Sequence, residues 1–248
     1  MRLEDKVCIV TGAGRNLGQA YAVRLAREGA KVAVCDVLDC TETAELVRKE
    51  GGEVLPLRVD VTNEDDTQDL ARQTVDRFGR IDGLVNNAGL MRDLGGRSIL
   101  DVDLTMWDRV FAVNVKGSFL CIRAVFPYMR DQGKGKIVNI SSGTWLHTSR
   151  EPNQSNPHYV ASKAAVLGLT RSLARELGQY NITINALAPG STQVGLGPDE
   201  APRADPERAL GRQGRPEDLT GMLVTLLSED SDFMTGQMVL VNGGMEVH

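Results

Sequence analysis

Tyr159 and Lys163 stand four residues apart in the run His158-Tyr-Val-Ala-Ser-Lys163, inside a segment whose periodicity predicts a helix. On a helix that spacing puts both side chains on one face. A free phenol titrates near 10, too high to exchange protons readily at neutral pH. An ammonium ~4 Å away, in an effective dielectric of about 20, favours the phenolate by about 4 kcal/mol. The spacing therefore predicts a Tyr159 pKa pulled below the ordinary tyrosine value, which suits a general acid and base. Taken alone, Tyr-x-x-x-Lys is also what an ordinary surface helix carries, so the rest of the chain has to decide.

Such a pair needs a scaffold, and hydrophobic periodicity supplies one. Lys6–Val10 is a short apolar run that ends in the glycine turn Thr11-Gly-Ala-Gly-Arg-Asn-Leu-Gly18, after which Leu17, Tyr21 and Leu25 recur with helical period. Further strands are predicted at Val32–Cys35, Val54–Val59, Ile81–Val85, Lys136–Ile140, Ile182–Ala186 and Met238–Val241. Helices are predicted near 41–50, 64–78, 105–129, 158–177 and 216–228. Strand and helix alternate with short connections, which implies parallel strands covered on both faces. The predicted fold class is α/β: a doubly wound, parallel seven-stranded sheet with helices on both faces, forming a single domain over 1–248.

Gly12, Gly14 and Gly18 follow a strand and open a helix. Backbone amides and a helix N-terminus at such a place can receive a pyrophosphate. Asp36 closes the next strand, where a carboxylate accepts hydrogen bonds from an adenosine ribose and repels a 2′-phosphate. The cofactor expected is NAD. Arg15 pulls the other way, because a cation in the turn could meet a 2′-phosphate. Asp36 decides, since a carboxylate left beside a phosphate costs more than an unused arginine.

Further marks are Asp60-Val61, Asn86-Asn87-Ala88-Gly89, Asn114, Ile140-Ser141-Ser142 and Pro189-Gly190. With Thr11-Gly12, Gly18 and Tyr159-x-x-x-Lys163, they make the chain resemble the short-chain dehydrogenase/reductase family over essentially its full length. The resemblance implies a Rossmann-type fold and hydride transfer between a nicotinamide and a carbon, with no metal. It implies that Gly12, Arg15, Asn16, Leu17 and Gly18 cradle the cofactor, that Asp60 and Val61 hold the adenine, and that Asn87, Ala88 and Gly89 line the cleft. Pro189, Gly190 and Thr192 would lie against the same cofactor. By the same likeness Tyr159 is the proton donor or acceptor, and Lys163 binds the nicotinamide ribose and depresses the Tyr159 pKa. Ser142 orients the substrate oxygen and Asn114 holds a water in a proton relay.

Three departures from the family pattern bear on the site. Asn16-Leu17-Gly18 stands where a Gly-x-Gly is usual, and Asn is among the side chains that best tolerate positive φ. Thr192 precedes Val194, whereas the family commonly has an aliphatic residue first and a threonine two later. The stretch from Ser142 to Tyr159 is longer than usual, which keeps Ser141 and Thr144 as alternatives to Ser142.

Net charge −5 and a pI near 5.3 give no basic footprint for nucleic acid or for an anionic membrane surface. No apolar run is expected to reach the length of a membrane span, the first residues lack the apolar core of a signal peptide, and a cytoplasmic protein is expected. Cys8, Cys35, Cys40 and Cys121 form no Cys-x-x-Cys pair, so neither disulfides nor zinc are indicated. His147 and His158 flank the pair and read as surface or substrate-wall residues. Gly143 to His158 carries Trp145, His147, Thr148, Arg150, Asn153, Gln154, Asn156 and His158. So polar a loop predicts a polar small-molecule substrate, with Arg150 the candidate partner for a carboxylate. Prolines 198, 202 and 206 mark 191–212 as a mobile substrate lid. Helix 105–129 is apolar on more than one face, which predicts burial against a second subunit, and the family resemblance makes that a homotetramer. An NADPH-dependent carbonyl or 3-oxoacyl reductase is the alternative function, and a non-catalytic dinucleotide sensor a third; joint retention of Asn114, Ser142, Tyr159 and Lys163 argues against the sensor.

Overall fold

Strand β1 (Val7–Thr11) is buried along its whole length, because side chains on both of its faces meet apolar partners. Cys8 and Val10 point into one hydrophobic cluster and Ile9 into another. β2 (Lys31–Asp36) divides likewise, Val32 and Val34 on one side and Ala33 and Cys35 on the other. A strand with two buried faces cannot show a polar alternation, which is why these strands read as continuous apolar runs. The computed structural model describes residues 1–91, 99–146, 156–197 and 200–246.

β3 (Val54–Arg58), β4 (Gly83–Asn86), β5 (Gly135–Ile140), β6 (Ile182–Pro189) and β7 (Met238–Val241) complete a seven-stranded sheet in the order β3-β2-β1-β4-β5-β6-β7. Every pairing is parallel. Helices α1 (Asn16–Arg27), α2 (Thr41–Lys49) and α7 (Pro216–Leu227) pack on the face of Val10 and Val138. The opposite face, around Ile9 and Ile137, is covered by α3 (Glu64–Phe78), α5 (Ser118–Gln132) and α6 (Pro157–Gly178). The chain direction across the sheet reverses between β1 and β4, and a doubly wound sheet opens its binding crevice at that switch point, beyond the carboxyl ends of the strands.

The helix expected at 105–129 is not one regular helix. α4 (Leu104–Phe111) runs into α5 through a π-helical segment, Ala112–Gly117, that the sequence reading missed. Such a segment carries an extra residue in the turn and re-aims a side chain, and here the side chain turned inward is Asn114. By length and composition Leu104–Gln132, 29 residues, is apolar enough to cross a membrane, which corrects the expectation that no segment reaches that length. Cys121, Ile122, Val125 and Met129 are buried in the core, so within this fold it is a core helix. Phe126 is also satisfied internally, edge-on to Tyr180 with centroids 5.5 Å apart, which leaves Phe119 and Leu104 as its exposed large apolar residues.

Candidate active site

The crevice floor is tied together by Thr11. Its hydroxyl accepts from the backbone N–H groups of Asn87 (3.1 Å) and Ala88 (3.0 Å), joining the end of β1 to the loop after β4. Asn87 returns the connection, donating from Nδ2 to the carbonyls of Thr11 and Gly12, both at 2.9 Å. Gly12 has φ +64°, and a Cβ there would stand 2.7 Å from Ala88 Cα. Gly18 is tighter still: a Cβ would fall on the Gly12 carbonyl oxygen and lie 2.6 Å from Asn87 Nδ2. Both glycines are demanded by close backbone approach, as the sequence motif implied.

Asn16 adopts φ +56°, so the substitution for glycine in this turn is accommodated as its side-chain type predicts. Leu17 packs on the core, Arg15 is exposed, and no side chain caps the first turn of α1, which also lacks an acidic residue. Its leading amides are therefore open to an anion. Asp36 is half-buried at the end of β2 and accepts from the N–H of Gly14 (3.0 Å) through Oδ2 and of Leu38 (3.1 Å) through Oδ1. Both oxygens keep lone pairs for further donors. These residues fit a dinucleotide: a cradle closed to side chains, an open helix N-terminus and a fixed carboxylate one strand away. Asp60 is exposed and accepts from Thr62, while Val61 is buried against Gly117.

Tyr159 and Lys163 lie on one face of α6, with Lys163 Nζ 5.8 Å from the centroid of the Tyr159 ring. The ammonium donates to the carbonyl of Ile140 at 2.8 Å, at the end of β5. Burial pulls Lys163 down from 10.5 to about 8. Burial also pushes the Tyr159 phenol up from 10.0, against a hydrogen bond with Ser142 that lowers it. The expectation that Lys163 depresses the Tyr159 pKa is corrected here: dehydration of the phenolate outweighs every favourable contact the protein supplies, and the lowering contact comes from Ser142. Of Ser141, Ser142 and Thr144, it is Ser142 that the structure brings to Tyr159. Ser141 donates to the carbonyl of Lys163 at 2.8 Å, whereas Ser142 reaches Tyr159 and accepts from the Thr144 hydroxyl at 3.1 Å.

Asn114 is buried, and its side-chain amide is fully engaged. Oδ1 accepts from Leu90 N–H (2.8 Å), and Nδ2 donates to the Leu90 carbonyl (3.3 Å) and to Ser162 Oγ (2.9 Å). Gly89 lies between the two groups, since a Cβ on it would be 3.3 Å from Asn114 Oδ1 and 3.4 Å from Lys163 Nζ. Across the crevice, Pro189 ends β6. A Cβ on Gly190 would meet Arg208 Nη1 and Asn242 at 2.8 Å, and the Thr192 hydroxyl donates back to the Gly190 carbonyl at 2.9 Å.

His158 is fully buried and stacks on Trp107 with centroids 6.3 Å apart, which corrects the surface or substrate-wall reading: the residue before Tyr159 on α6 points into the packing with α4. His147, Thr148, Arg150, Asn153 and Gln154 lie outside the described residues, as does Pro198 of the expected lid. The described parts of 191–212 are held by Thr192 bridged to Gly214, Ala204 bridged to Arg212, and a buried Arg208. Arg208 pairs with Asp205 at 2.7 Å and donates to the Asn242 carbonyl at 2.6 Å. Thr11, Ser162 and Arg208 were not singled out as site residues from the sequence. Thr11 and Ser162 lie inside quoted motifs, and their neighbours were the signal that could have found them.

The family profile described as Enoyl-(Acyl carrier protein) reductase matches residues 12–246. The chain is 38% identical to the 3-oxoacyl-acyl-carrier-protein reductase FabG of Thermotoga maritima, with both chains covered to 100%. It is also 38% identical to the hydroxy(phenyl)methylsuccinyl-CoA dehydrogenase subunit BbsD of Thauera aromatica, covering 98% of each. A short-chain type dehydrogenase/reductase from Mycobacterium marinum superposes with a TM-score of 0.89 at 34% identity, over 99% of this chain and 97% of that one. Fold and site together define an oxidoreductase whose class binds a nicotinamide dinucleotide and acts on small molecules. The chain belongs to the short-chain dehydrogenase/reductase family.

Proposed function

We propose that the protein transfers a hydride between NAD and a secondary alcohol or ketone on a polar substrate of modest size. The observation that carries the choice of NAD is Asp36, locked by two backbone amides with free lone pairs, and followed by the exposed apolar residues Val37 and Leu38 rather than by a cation. A 2′-phosphate there would face a carboxylate with no basic partner in the same loop. Bound NAD supplies the hydride acceptor. In the reduction, the protonated phenol that burial favours would give its proton to the substrate carbonyl oxygen as the hydride arrives at carbon, with Ser142 holding that oxygen beside the phenol; the oxidation is the reverse step and needs the phenolate. Lys163 anchors the ribose side of the crevice, and Asn114 fixes the wall at Leu90. The indole N–H of Trp145, three residues beyond Ser142, is buried without a hydrogen-bond partner among the described residues, a cost of ~1–3 kcal/mol that a polar substrate would offset. The 191–212 stretch is the proposed substrate lid, and the buried free cysteines suit a reducing cytoplasm.

The test is steady-state kinetics with both cofactors. We expect kcat/KM for NAD to exceed that for NADP by at least about tenfold, ~1.4 kcal/mol, and Asp36→Ala to narrow the gap. Equal use of NADP by the wild type would overturn the reading of Asp36. It would favour the second reading, an NADPH-dependent carbonyl or 3-oxoacyl reductase, which the likeness to the Thermotoga reductase supports.

A further inference from the structure

The geometry points to Ser162 as a positioning residue that sets the orientation of the Asn114 amide and, through it, fixes the cofactor-cleft wall at Leu90. Ser162 is 0% exposed, directly before Lys163 on α6. Its hydroxyl donates to the carbonyl of Tyr159, one turn back, at 2.7 Å, and receives Asn114 Nδ2 at 2.9 Å. A hydroxyl has one proton. With that proton given to Tyr159, Ser162 can only accept from its other neighbour, so the Asn114 group facing it must be the NH2.

The consequence runs outward. With the NH2 held on Ser162, Oδ1 is turned to the N–H of Leu90 at 2.8 Å, while the second Nδ2 proton reaches the Leu90 carbonyl at 3.3 Å. The reversed amide would set carbonyl against hydroxyl oxygen and NH2 against N–H, losing both bonds. One hydroxyl therefore joins the turn of Tyr159, the π-helical segment and the residue after Gly89, where Lys163 Nζ and Asn114 Oδ1 converge. Nothing about this chain of bonds depends on whether the cofactor is NAD or NADP; it rests on the proposed function only in taking Gly89 and Leu90 as cleft wall.

Amide hydrogen exchange at Leu90 reads the clamp without a substrate, and fluorescence of NADH or NADPH, whichever the wild type binds more tightly, reads the wall. Ser162→Ala should speed Leu90 exchange at least about tenfold while Ile9 in the sheet keeps its rate, because the opening is local. Reduced cofactor should bind about three- to tenfold more weakly, the effect of losing a wall contact worth about one hydrogen bond. Because Ser162 acts through Asn114, Ser162→Ala/Asn114→Ala should exchange Leu90 no faster than Asn114→Ala alone. If Ser162→Ala does not fold, Ser162→Cys, with similar volume and a weaker donor and acceptor, is read in the same way and should fall between wild type and full loss. Unchanged Leu90 exchange, unchanged cofactor affinity, or rates that multiply in the double variant would each overturn the assignment.

Discussion

Under the proposed function Tyr159 carries the chemistry, and its environment explains both what the sequence reveals and what it hides. The spacing to Lys163 does place both groups on one face of α6, but spacing says nothing about dehydration, and dehydration dominates. In the protein without added cofactor, the phenolate step lost in Tyr159→Phe should lie above the ordinary value of 10.0 in an ultraviolet titration. Ser142→Ala should move it higher, since the Ser142 hydrogen bond lowers it. A Tyr159 step below pH 9 would restore the sequence-based expectation. Lys163 makes a thermodynamic prediction. Its folded pKa of about 8 lies below the unfolded 10.5, so the unfolded chain binds more protons between these values and stability rises with pH across them. The burial penalty is fully present below about pH 8 and gone above about 10.5, and amounts to roughly 3 kcal/mol. In urea denaturation, wild type should therefore gain on Lys163→Met by that order as pH rises from 7 to 10.5. A pH-independent difference would show that the ammonium is not dehydrated.

At the scale of elements, the central strands β1, β4, β5 and β6 were legible because both faces are buried. The runs of β1 and β2 are bounded by glycine or charge, and β1, β2 and β5 fall within a residue or so of the positions the sequence predicts. The π-helical segment was not legible, because Ala112–Gly117 has the same apolar periodicity as the helix around it. What bends it inward is a long-range partner, Leu90, that no local pattern contains. The glycine turn lies between these cases: its glycines are visible in the sequence, and their clash partners are not. Gly18→Ala should abolish the turn, since its Cβ would fall on the Gly12 carbonyl oxygen and Ala13 Cα, both backbone atoms that cannot swing aside. Asn16 is different, being strained by its φ of +56° and not by crowding, so Asn16→Gly should be close to neutral and Asn16→Ala should cost about 1 kcal/mol. Thermal unfolding of the three variants checks the ranking. An Asn16→Ala protein as stable as Asn16→Gly would mean that the turn relaxes.

For the whole molecule, the two sheet edges are unequal. β3 ends the sheet on one side with Pro56 in its middle and Arg58 at its end, features that blunt an edge against further pairing. β7 ends it on the other with Met238-Val-Leu-Val241, uncharged and free of proline, every residue only partly buried. Phe233, shortly before it, is fully exposed. An apolar, unblunted edge beside a bare aromatic ring is a liability unless something covers it, and we propose that a second copy does. A two-fold interface there sets the same surface against itself, so two Phe233 rings are buried, one from each copy, at about 1.5–3 kcal/mol apiece. Phe119, exposed on α5 over the face of Ile9 and Ile137, offers a second apolar contact, as the homotetramer expected from the sequence would need. Light scattering at micromolar concentration should give several times the 26.9 kDa chain mass. Phe233→Asp, which adds a charge where burial is expected, should divide the assembly without unfolding the chain, because the ring contributes nothing to the core of one copy. A wild-type monomer would leave the β7 edge without a covering partner, and a tetramer unmoved by Phe233→Asp would shift the interface to the helix of Phe119.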